Sequence, residues 1–257
     1  MNAESASKIA TSLLNGRVVA TKQARFEEAL RVQNVDEALA VQTAMASLRD
    51  DDIAAWKCLL PPADDAVVVA PIFANTKQSG DVCKLIPDDN KVRIEPEIAF
   101  VLSEDLPAQE QPRSEEEISA AFGKAHMALE LMQDRWSDAA ELAFCEKLAD
   151  GLFNQGIYLG PEIDLEQGKV ASSFKLSLQQ ADTLQAFDGK HPNPQAFAPI
   201  LWLINYMCAR GTSFKKGQAF ITGSFCGIVE LAFDVPARIC YEGLGEYEVS
   251  FSAVESV

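Results

Sequence analysis

Histidine is scarce in this chain of 257 residues, which contains only His126 and His191. A metal site built on several imidazoles is therefore poorly supported. A hydrolase triad is poorly supported as well, because neither histidine has an evident acidic partner in the sequence. The six cysteines form no CxxC pair and stand mostly in apolar surroundings. We expect them to be buried free thiols rather than disulfides or zinc ligands.

Positive charge and long hydrophobic runs are also lacking. The chain has 22 basic and 38 acidic residues, a formal net charge of -16, which argues against nucleic acid and anionic membranes as partners. The most apolar long segment, residues 197–209, is too short to span a bilayer. The N-terminal stretch lacks the basic region and long apolar core of a signal peptide, so we expect a cytoplasmic protein.

The hydrophobic content of 48% is sufficient for a buried core, and its periodicity changes along the chain. Helical spacing in residues 5–14 and a capping pattern at Asn34 and Glu37 predict two N-terminal helices. Short apolar runs of strand character follow, and the chain from Ala219 onwards is strand-like throughout. This pattern predicts a mixed α+β fold with an N-terminal helical region.

Several boundaries follow from capping residues and breakers. We predict that Pro61-Pro62 follows a strand over residues 53–60 and that Asp188-Gly189 forms a turn. Helices are predicted over residues 114–125, 137–151 and 194–210, with Pro199 as an alternative first turn of the last one.

The stretch KVRIEPEIAFVL contains the most informative pattern in the chain. Alternation predicts a strand whose Glu95 and Glu97 lie on the face opposite Ile94 and Ile98. A second apolar run, MALELM, contains Glu130 among core-like residues, where an unpaired carboxylate is costly. Three carboxylates on rigid strands would suit Mg²⁺ or Mn²⁺. In so acidic a chain, a solvated strand face is the alternative explanation.

The apolar run AAWKCLL also contains a charged residue, a lysine. Lys57 lies between Trp56 and Cys58, and one interpretation is a strand-edge lysine whose ammonium reaches water. The other is a desolvated lysine that faces the acidic cluster and supplies a proton in catalysis. Both interpretations stay open at this level.

Taken together, motifs along nearly the whole chain resemble one branch of the fumarylacetoacetate hydrolase-like superfamily. That branch contains 2-keto-4-pentenoate hydratase and 2-oxohept-3-ene-1,7-dioate hydratase. The resemblance rests on motifs that occur in the family's order and spacing: DEALAVQTAM, AAWK, RIEPEIAFVL, ALEL, KLADGLFNQGIYLG, LWLINYM, KKGQAFITGSF and YEGLGEYEVSF. It implies a mixed β-roll or sandwich core, with a helical region over residues 1–75 and a catalytic domain over 76–257.

The resemblance also implies site residues and a cofactor. Glu95, Glu97 and Glu130 match the family's ligands for Mg²⁺ or Mn²⁺, and Lys57 matches its catalytic lysine. The segment Thr222-Gly223-Ser224 matches a loop that contacts the substrate carboxylate, although an ordinary turn is an equal alternative. A homo-oligomer is implied, and a complex with a related decarboxylase is left open.

The sequence departs from the family at two places. Residues 67–75, VVVAPIFAN, lack the family's carboxylates, with Asn75 near the second missing acid, and Leu152-Phe153 replaces small polar residues. The implied activity is hydration of a 2-hydroxy-2,4-dienoate to a 4-hydroxy-2-oxo acid, as in aromatic catabolism. The departures change the implied substrate pocket. Two alternatives follow. One is a metal-dependent 2-oxo acid decarboxylase, and the other is a non-catalytic relative that binds a keto acid or serves as a partner subunit.

Overall fold

The computed structural model describes residues 1–18, 21–63 and 66–254. The helices in this part of the chain are α1 (Ala3–Gly16), α2 (Val35–Leu48), α3 (Glu115–Ala120), α4 (Phe144–Ala149), α5 (Leu165–Val170) and α6 (Ala198–Cys208). The strands are β1 (Ile53–Ala63), β2 (Ala66–Phe73), β3 (Lys77–Gln78), β4 (Val82–Leu85), β5 (Val92–Leu102), β6 (Phe122–Met132), β7 (Asn154–Ile163), β8 (Ser173–Gln180), β9 (Thr183–Lys190), β10 (Ala219–Ile221), β11 (Val229–Leu231), β12 (Ala237–Tyr241) and β13 (Gly245–Ala253). The predicted α+β class is confirmed.

The strands form two mixed sheets. The larger has the order β2-β1-β10-β5-β6-β7-β3, with β11 added beside β5, and the smaller has the order β4-β13-β12-β8-β9. Most neighbours are antiparallel, but β10 runs parallel to β1. One face of the larger sheet packs against the smaller sheet and α6 in the main core, as in a sandwich.

The predicted N-terminal helices are present. Asn34 caps α2 by accepting a hydrogen bond from the Glu37 N–H at 3.0 Å. The buried faces of α1 and α2 share a second core with α4 and with Phe73 and Trp136. The predicted boundary after residue 75 stays a prediction, although β1 and β2 belong to the same sheet as β5 to β7.

Beside β5, the larger sheet has an interruption that determines where polar groups can enter. Strand β10 pairs with Ala99–Val101, and β11 pairs with Val92–Ile94 on the same side. Residues 95–98 therefore face the connection between β10 and β11 instead of a strand. A loop can place side chains and backbone N–H groups there without breaking a ladder.

Several predicted boundaries differ from the structure. Strand β1 continues through Pro61-Pro62. On one side β10 pairs only with residues 55–57, and on the other the β1–β2 register shifts after Leu59. The two prolines therefore need not donate a backbone hydrogen bond to either neighbour. The capping box of Ser114 is present, but α3 ends at Ala120 and β6 begins at Phe122. The sheet pairing outweighs the helical pattern there.

Two further predictions also differ from the structure. Residues 137–151 contain a 3₁₀ helix at Ala139–Glu141 and the short helix α4, which Gly151 follows with a φ of +72°. Asp188 and Gly189 lie inside β9, where they pair with Lys175 and Phe174, and the turn is at residues 181–182. The last predicted helix begins later than residue 194, with Pro199 in its first turn.

All six cysteines are free thiols. Cys58, Cys83 and Cys208 are buried as expected, whereas Cys145, Cys226 and Cys240 are only partly buried. Among the residues that the structure describes, no helix is long and apolar enough to cross a membrane.

Candidate metal centre

Glu95, Glu97 and Glu130 converge in the structure. Glu95 on β5 lies directly opposite Glu130 on β6 in the antiparallel register, and Glu97 follows two residues later on the same face. One carboxylate oxygen from each residue lies within 4.8 Å of the other two. Glu97 and Glu130 are 2% and 1% exposed, so a solvated strand face does not describe them.

Lys57 reaches the same cluster from β1. The neighbouring Trp56 and Cys58 point into the main core, and the strand alternation turns Lys57 to the opposite face. Its Nζ donates to Oε1 of Glu130 at 2.6 Å. The side chain is 11% exposed, which rules out the alternative of an ammonium that reaches bulk water.

Asn154 is a member of the cluster that the sequence did not reveal. Its Nδ2 donates to the same Glu130 oxygen at 2.9 Å and to the carbonyl of Gly156 at 3.1 Å, and the residue is 1% exposed. The second bond fixes the orientation of the amide. The signal in the sequence is weak, since Asn154 is simply the first residue of β7.

The loop between β10 and β11 supplies a backbone donor. The Gly223 N–H donates to Oε2 of Glu97 at 2.6 Å. Gly223 has a φ of +119°, and a Cβ there would lie 2.6 Å from Cδ2 of Leu59 and 2.7 Å from Cγ of Pro192. Only glycine allows this approach without rearrangement.

The three residues of the predicted substrate loop differ in position. Gly223 and Ser224 line the cavity beside the carboxylates. The Ser224 hydroxyl bonds with the carbonyls of Pro96 and Gly227. Thr222 is 1% exposed, and its hydroxyl lies 3.4 Å from Nε2 of His191. Contact of this loop with a substrate carboxylate stays a prediction.

The electrostatics of the cluster reflect an excess of negative charge. Burial and repulsion from Glu130 raise the pKa of Glu95 to about 7. Burial, then repulsion from Glu130 and Glu95, also raises the pKa of Glu97 well above its ordinary value. Burial lowers the pKa of Lys57, but the nearby Glu130 and Glu95 carboxylates outweigh this effect and raise it overall. The ammonium therefore stays protonated near neutral pH.

These residues fit a divalent cation. Three ionised carboxylates and one ammonium leave two net negative charges, which a divalent cation would balance. All the candidate donors are hard oxygens, the kind that Mg²⁺, Mn²⁺ and Ca²⁺ prefer, whereas no thiolate or imidazole in the described residues joins the cluster.

A cavity of about 410 Å³ opens above these four charged side chains, and we call it the carboxylate cavity. Its walls also include Val68, Met132, Leu152 and Pro192. The volume suits a small organic acid. Val68 belongs to the segment 67–75 that departs from the family pattern, whereas Asn75 does not line the cavity.

Leu152 enters the cavity from an unusual backbone turn. Gly151, Leu152 and Phe153 have successive φ values of +72°, +55° and +66°, which costs about 1–2 kcal/mol for each non-glycine residue. The Leu152 carbonyl accepts a hydrogen bond from Lys57 Nζ at 3.5 Å. We call residues 151–153 the left-handed turn.

Buried charges hold this turn in place. The carboxylate of Asp150, immediately before it, accepts hydrogen bonds from Nε of Arg135 at 3.2 Å and from the Trp136 indole at 2.9 Å. Arg17 donates to the backbone carbonyls of Asp150 and Asn154, one on each side of the turn. Strain of this kind persists where the surroundings fix the backbone, and it is frequent at functional sites.

Neither a scan against protein-family models nor a search of curated proteins finds a match for this chain. Solved structures do match. The chain is similar to 4-oxalocrotonate decarboxylase from Pseudomonas putida G7, with a TM-score of 0.77, 16% identity and coverage of 98% of both chains. Structures of that decarboxylase are complexed with calcium and acetate, and with magnesium and adipate.

Other similar structures share less of the chain. A 2-hydroxyhepta-2,4-diene-1,7-dioate isomerase from Mycobacterium marinum has a TM-score of 0.56 and 14% identity, with coverage of 80% of this chain and 77% of the isomerase. A putative fumarylpyruvate hydrolase from Burkholderia cenocepacia has a TM-score of 0.54 and 14% identity, with coverage of 78% and 88%. These similarities confirm the predicted fumarylacetoacetate hydrolase-like fold.

Proposed function

We propose that this protein is a divalent-metal-dependent lyase that hydrates a 2-hydroxy-2,4-dienoate to a 4-hydroxy-2-oxo acid, as in the catabolism of aromatic compounds. One observation carries the proposal: Glu95, Glu97 and Glu130 converge within 4.8 Å beside a buried Lys57. Clusters of buried groups with shifted pKa values in a cavity are typical of catalytic sites.

Glu95, Glu97 and Glu130 would hold the cation, which we propose to be Mg²⁺ or Mn²⁺. The solved decarboxylase complexes with calcium and magnesium support a divalent ion in this fold. When bound, such a cation supplies Lewis-acid stabilisation of negative charge on the oxygens of a 2-oxo or enol acid.

The chain's own residues would hold and move protons. Hydration requires a proton to be added to the terminal carbon when the dienol ketonises, followed by addition of the elements of water across the remaining double bond. Lys57 is protonated and lies at the floor of the cavity, so it would donate or relay the first of these protons.

Three neighbours would keep this machinery in position. Asn154 and Lys57 both hold one oxygen of Glu130, and the Gly223 N–H holds Glu97. Apolar walls at Val68, Leu152 and Pro192 would limit water in the cavity. We also propose that Gly223 and Ser224 contact the substrate carboxylate, with Thr222 supporting the loop from beneath.

Decarboxylation of a 2-oxo acid is the second candidate activity. It is favoured by the similarity to a decarboxylase over 98% of both chains. The same stabilised enolate would form, but the electrons would come from a breaking carbon–carbon bond, with CO₂ as the leaving group. A homo-oligomer, and a complex between it and a related decarboxylase, belong to the same proposal.

Ultraviolet absorbance of short 2-hydroxy-2,4-dienoates, followed with and without Mg²⁺ or Mn²⁺, tests the proposal. We expect metal-dependent loss of the dienol in the wild type, formation of a 4-hydroxy-2-oxo acid, and a loss of at least 100-fold in kcat for Lys57→Ala. Lys8→Ala, an exposed lysine on α1, is the control.

Two other outcomes would overturn hydration. If the protein released CO₂ from a 2-oxo acid that carries a second carboxylate and hydrated no dienoate, its activity would be decarboxylation. Metal-dependent binding of oxalate without turnover of any substrate would indicate a non-catalytic relative.

A further inference from the structure

His191 is a buried histidine that the proposed function does not use. It lies directly after β9 and is 3% exposed. Its backbone N–H donates to the Ser172 carbonyl at 2.8 Å. The next residue, Pro192, lines the carboxylate cavity, so His191 is one residue away from the wall of that cavity.

The imidazole of His191 joins two loops. Its Nδ1 lies 3.1 Å from both the backbone nitrogen and the carbonyl oxygen of Asn193, and its Nε2 lies 3.4 Å from the Thr222 hydroxyl. Asn193 and Thr222 can each donate or accept, so either neutral tautomer of the ring is bonded at both nitrogens. Burial lowers the pKa of His191 by more than its bonds with Asn193 and Thr222 raise it, which keeps the ring neutral near pH 7.

Thr222 begins the loop that reaches the carboxylates, and we call Thr222 to Phe225 the Gly223 loop. Gly223 donates its N–H to Oε2 of Glu97, and the Phe225 N–H donates to the Pro96 carbonyl at 3.1 Å. Pro96 immediately precedes Glu97 in β5. The loop therefore bonds to the carboxylate of Glu97 and to the backbone beside it.

On its other side, the Gly223 loop is held by the segment that contains His191. The Lys190 N–H donates to the Phe225 carbonyl at 2.8 Å, and the imidazole lies 5.1 Å from the Phe225 ring, measured between centroids. Asn193 Oδ1 accepts from the Leu60 N–H at 3.2 Å, which ties this segment to β1. Within the described residues, the contact with His191 is the only hydrogen bond of the Thr222 hydroxyl.

We propose that His191 is a positioning residue for the metal centre: its imidazole braces Thr222, so that the Gly223 N–H stays directed at Glu97. The role rests on the proposed function, because it treats Glu97 as a ligand of Mg²⁺ or Mn²⁺. A donor fixed on one oxygen of a carboxylate limits its rotation, and this fixes the direction of a metal ligand.

Two substitutions separate the two bonds of the imidazole. His191→Asn places its amide where Nδ1 lies and keeps the contact with Asn193, whereas the longer side chain in His191→Gln reaches the position of Nε2 and keeps the contact with Thr222. Each variant loses one bond, so we expect similar midpoints of urea denaturation. Calorimetric titration of Mn²⁺ should show about tenfold weaker binding in His191→Asn and nearly wild-type binding in His191→Gln.

Thr222→Val tests the same bond from its other end, and it does so even if a His191 variant fails to fold. It removes the hydroxyl and keeps the shape of the side chain, so it should weaken Mn²⁺ binding about as much as His191→Asn. The double variant should bind no more weakly than either single variant, because both remove one shared bond.

His126→Asn is the matched control. His126 lies in β6, bonds through Nδ1 with the Gly160 carbonyl at 3.0 Å and does not line the carboxylate cavity. We expect its affinity for Mn²⁺ to equal that of the wild type.

The outcomes distinguish this inference from the proposed function. If the wild type binds Mn²⁺ but His191→Asn and His191→Gln bind it equally well, or if the losses add in the double variant, His191 is a core residue and its positioning role is overturned. Failure of the wild type to bind Mn²⁺ would reject the proposed function, and the role of His191 with it.

Discussion

At the scale of single residues, Glu130 shows how a buried carboxylate is made tolerable. It accepts from an ammonium and an amide on the same oxygen, at 2.6 and 2.9 Å. Its position in an apolar strand marked Glu130 as unusual in the sequence, but neither of its hydrogen-bond donors could be identified from the sequence. Lys57 is 73 residues away, and Asn154 lies on the strand beyond. Side chains that donate hydrogen bonds to a metal-binding carboxylate fix its orientation.

Asn154→Ala tests this positioning role. Removal of the amide leaves Glu130 held by Lys57 alone, so we expect the affinity for Mn²⁺ to fall about 10- to 100-fold with little change in the fold. Calorimetric titration of Mn²⁺ measures the change, and circular dichroism checks the secondary structure. Asn75→Ala, an exposed asparagine outside the cavity, is the matched control. An unchanged affinity in Asn154→Ala would show that the amide has no part in the site.

At the scale of elements, the interruption beside β5 creates the site. Strands β10 and β11 pair with the two ends of β5, and their connection fills the space between. This loop therefore brings the Gly223 N–H to Glu97, which a continuous strand would not do. The sequence predicted both strands but not that they flank the same part of β5, because strand order depends on long-range pairing.

Gly223→Ala tests the loop. The new methyl group would collide with Leu59 and Pro192, and the φ of +119° is strained for alanine. We expect a loss of about 1–3 kcal/mol in the free energy of unfolding and weaker Mn²⁺ binding, because the loop must move away from Glu97.

Gly243→Ala is the matched control for this substitution. Gly243 also has a positive φ, +84°, but no heavy atom lies within 4 Å of the position of a Cβ. Urea denaturation should show strain in both variants, whereas calorimetry should show weakened metal binding only in Gly223→Ala. Equal Mn²⁺ affinities in the two variants would contradict the role of the loop.

At the scale of the whole molecule, we expect the carboxylate cluster to make stability depend on pH and on a divalent cation. The carboxyl of Glu95 has an ordinary pKa of 4.5 and a folded pKa of about 7. Between these values the folded protein binds more protons than the unfolded chain, so this group lowers the free energy of unfolding as the pH rises from 5 to 8. A bound divalent cation would offset this loss.

Thermal denaturation at pH 5 to 8, with EDTA or with Mn²⁺, measures the effect. In EDTA we expect the wild type to lose several degrees of Tm relative to Glu95→Gln as the pH rises, since the variant has no carboxyl to ionise. Mn²⁺ should raise the Tm of the wild type most at pH 8. Parallel pH profiles for the two proteins in EDTA would contradict the raised pKa of Glu95.

The similarity in fold extends over 98% of the chain even though identity is only 16%. The α+β class was predictable because hydrophobic periodicity changes from helical to strand-like along the sequence. The extents of α3, β1 and β9 were not predictable. Sheet pairing begins at Phe122 and includes Gly189, against their local preferences, and a register shift after Leu59 lets β1 continue through Pro61.

The sequence by itself determined which face of β5 presents Glu95 and Glu97 and which side of β1 presents Lys57, because strand alternation is a local property of the backbone. It also determined the caps at Asn34 and Ser114, because a capping side chain bonds to an N–H only three residues further along. Only the tertiary structure decided that these side chains meet. Pairing of β5 with β6, and the left-handed turn beside the carboxylate cavity, depend on register and packing between segments far apart in the chain, which no local pattern encodes.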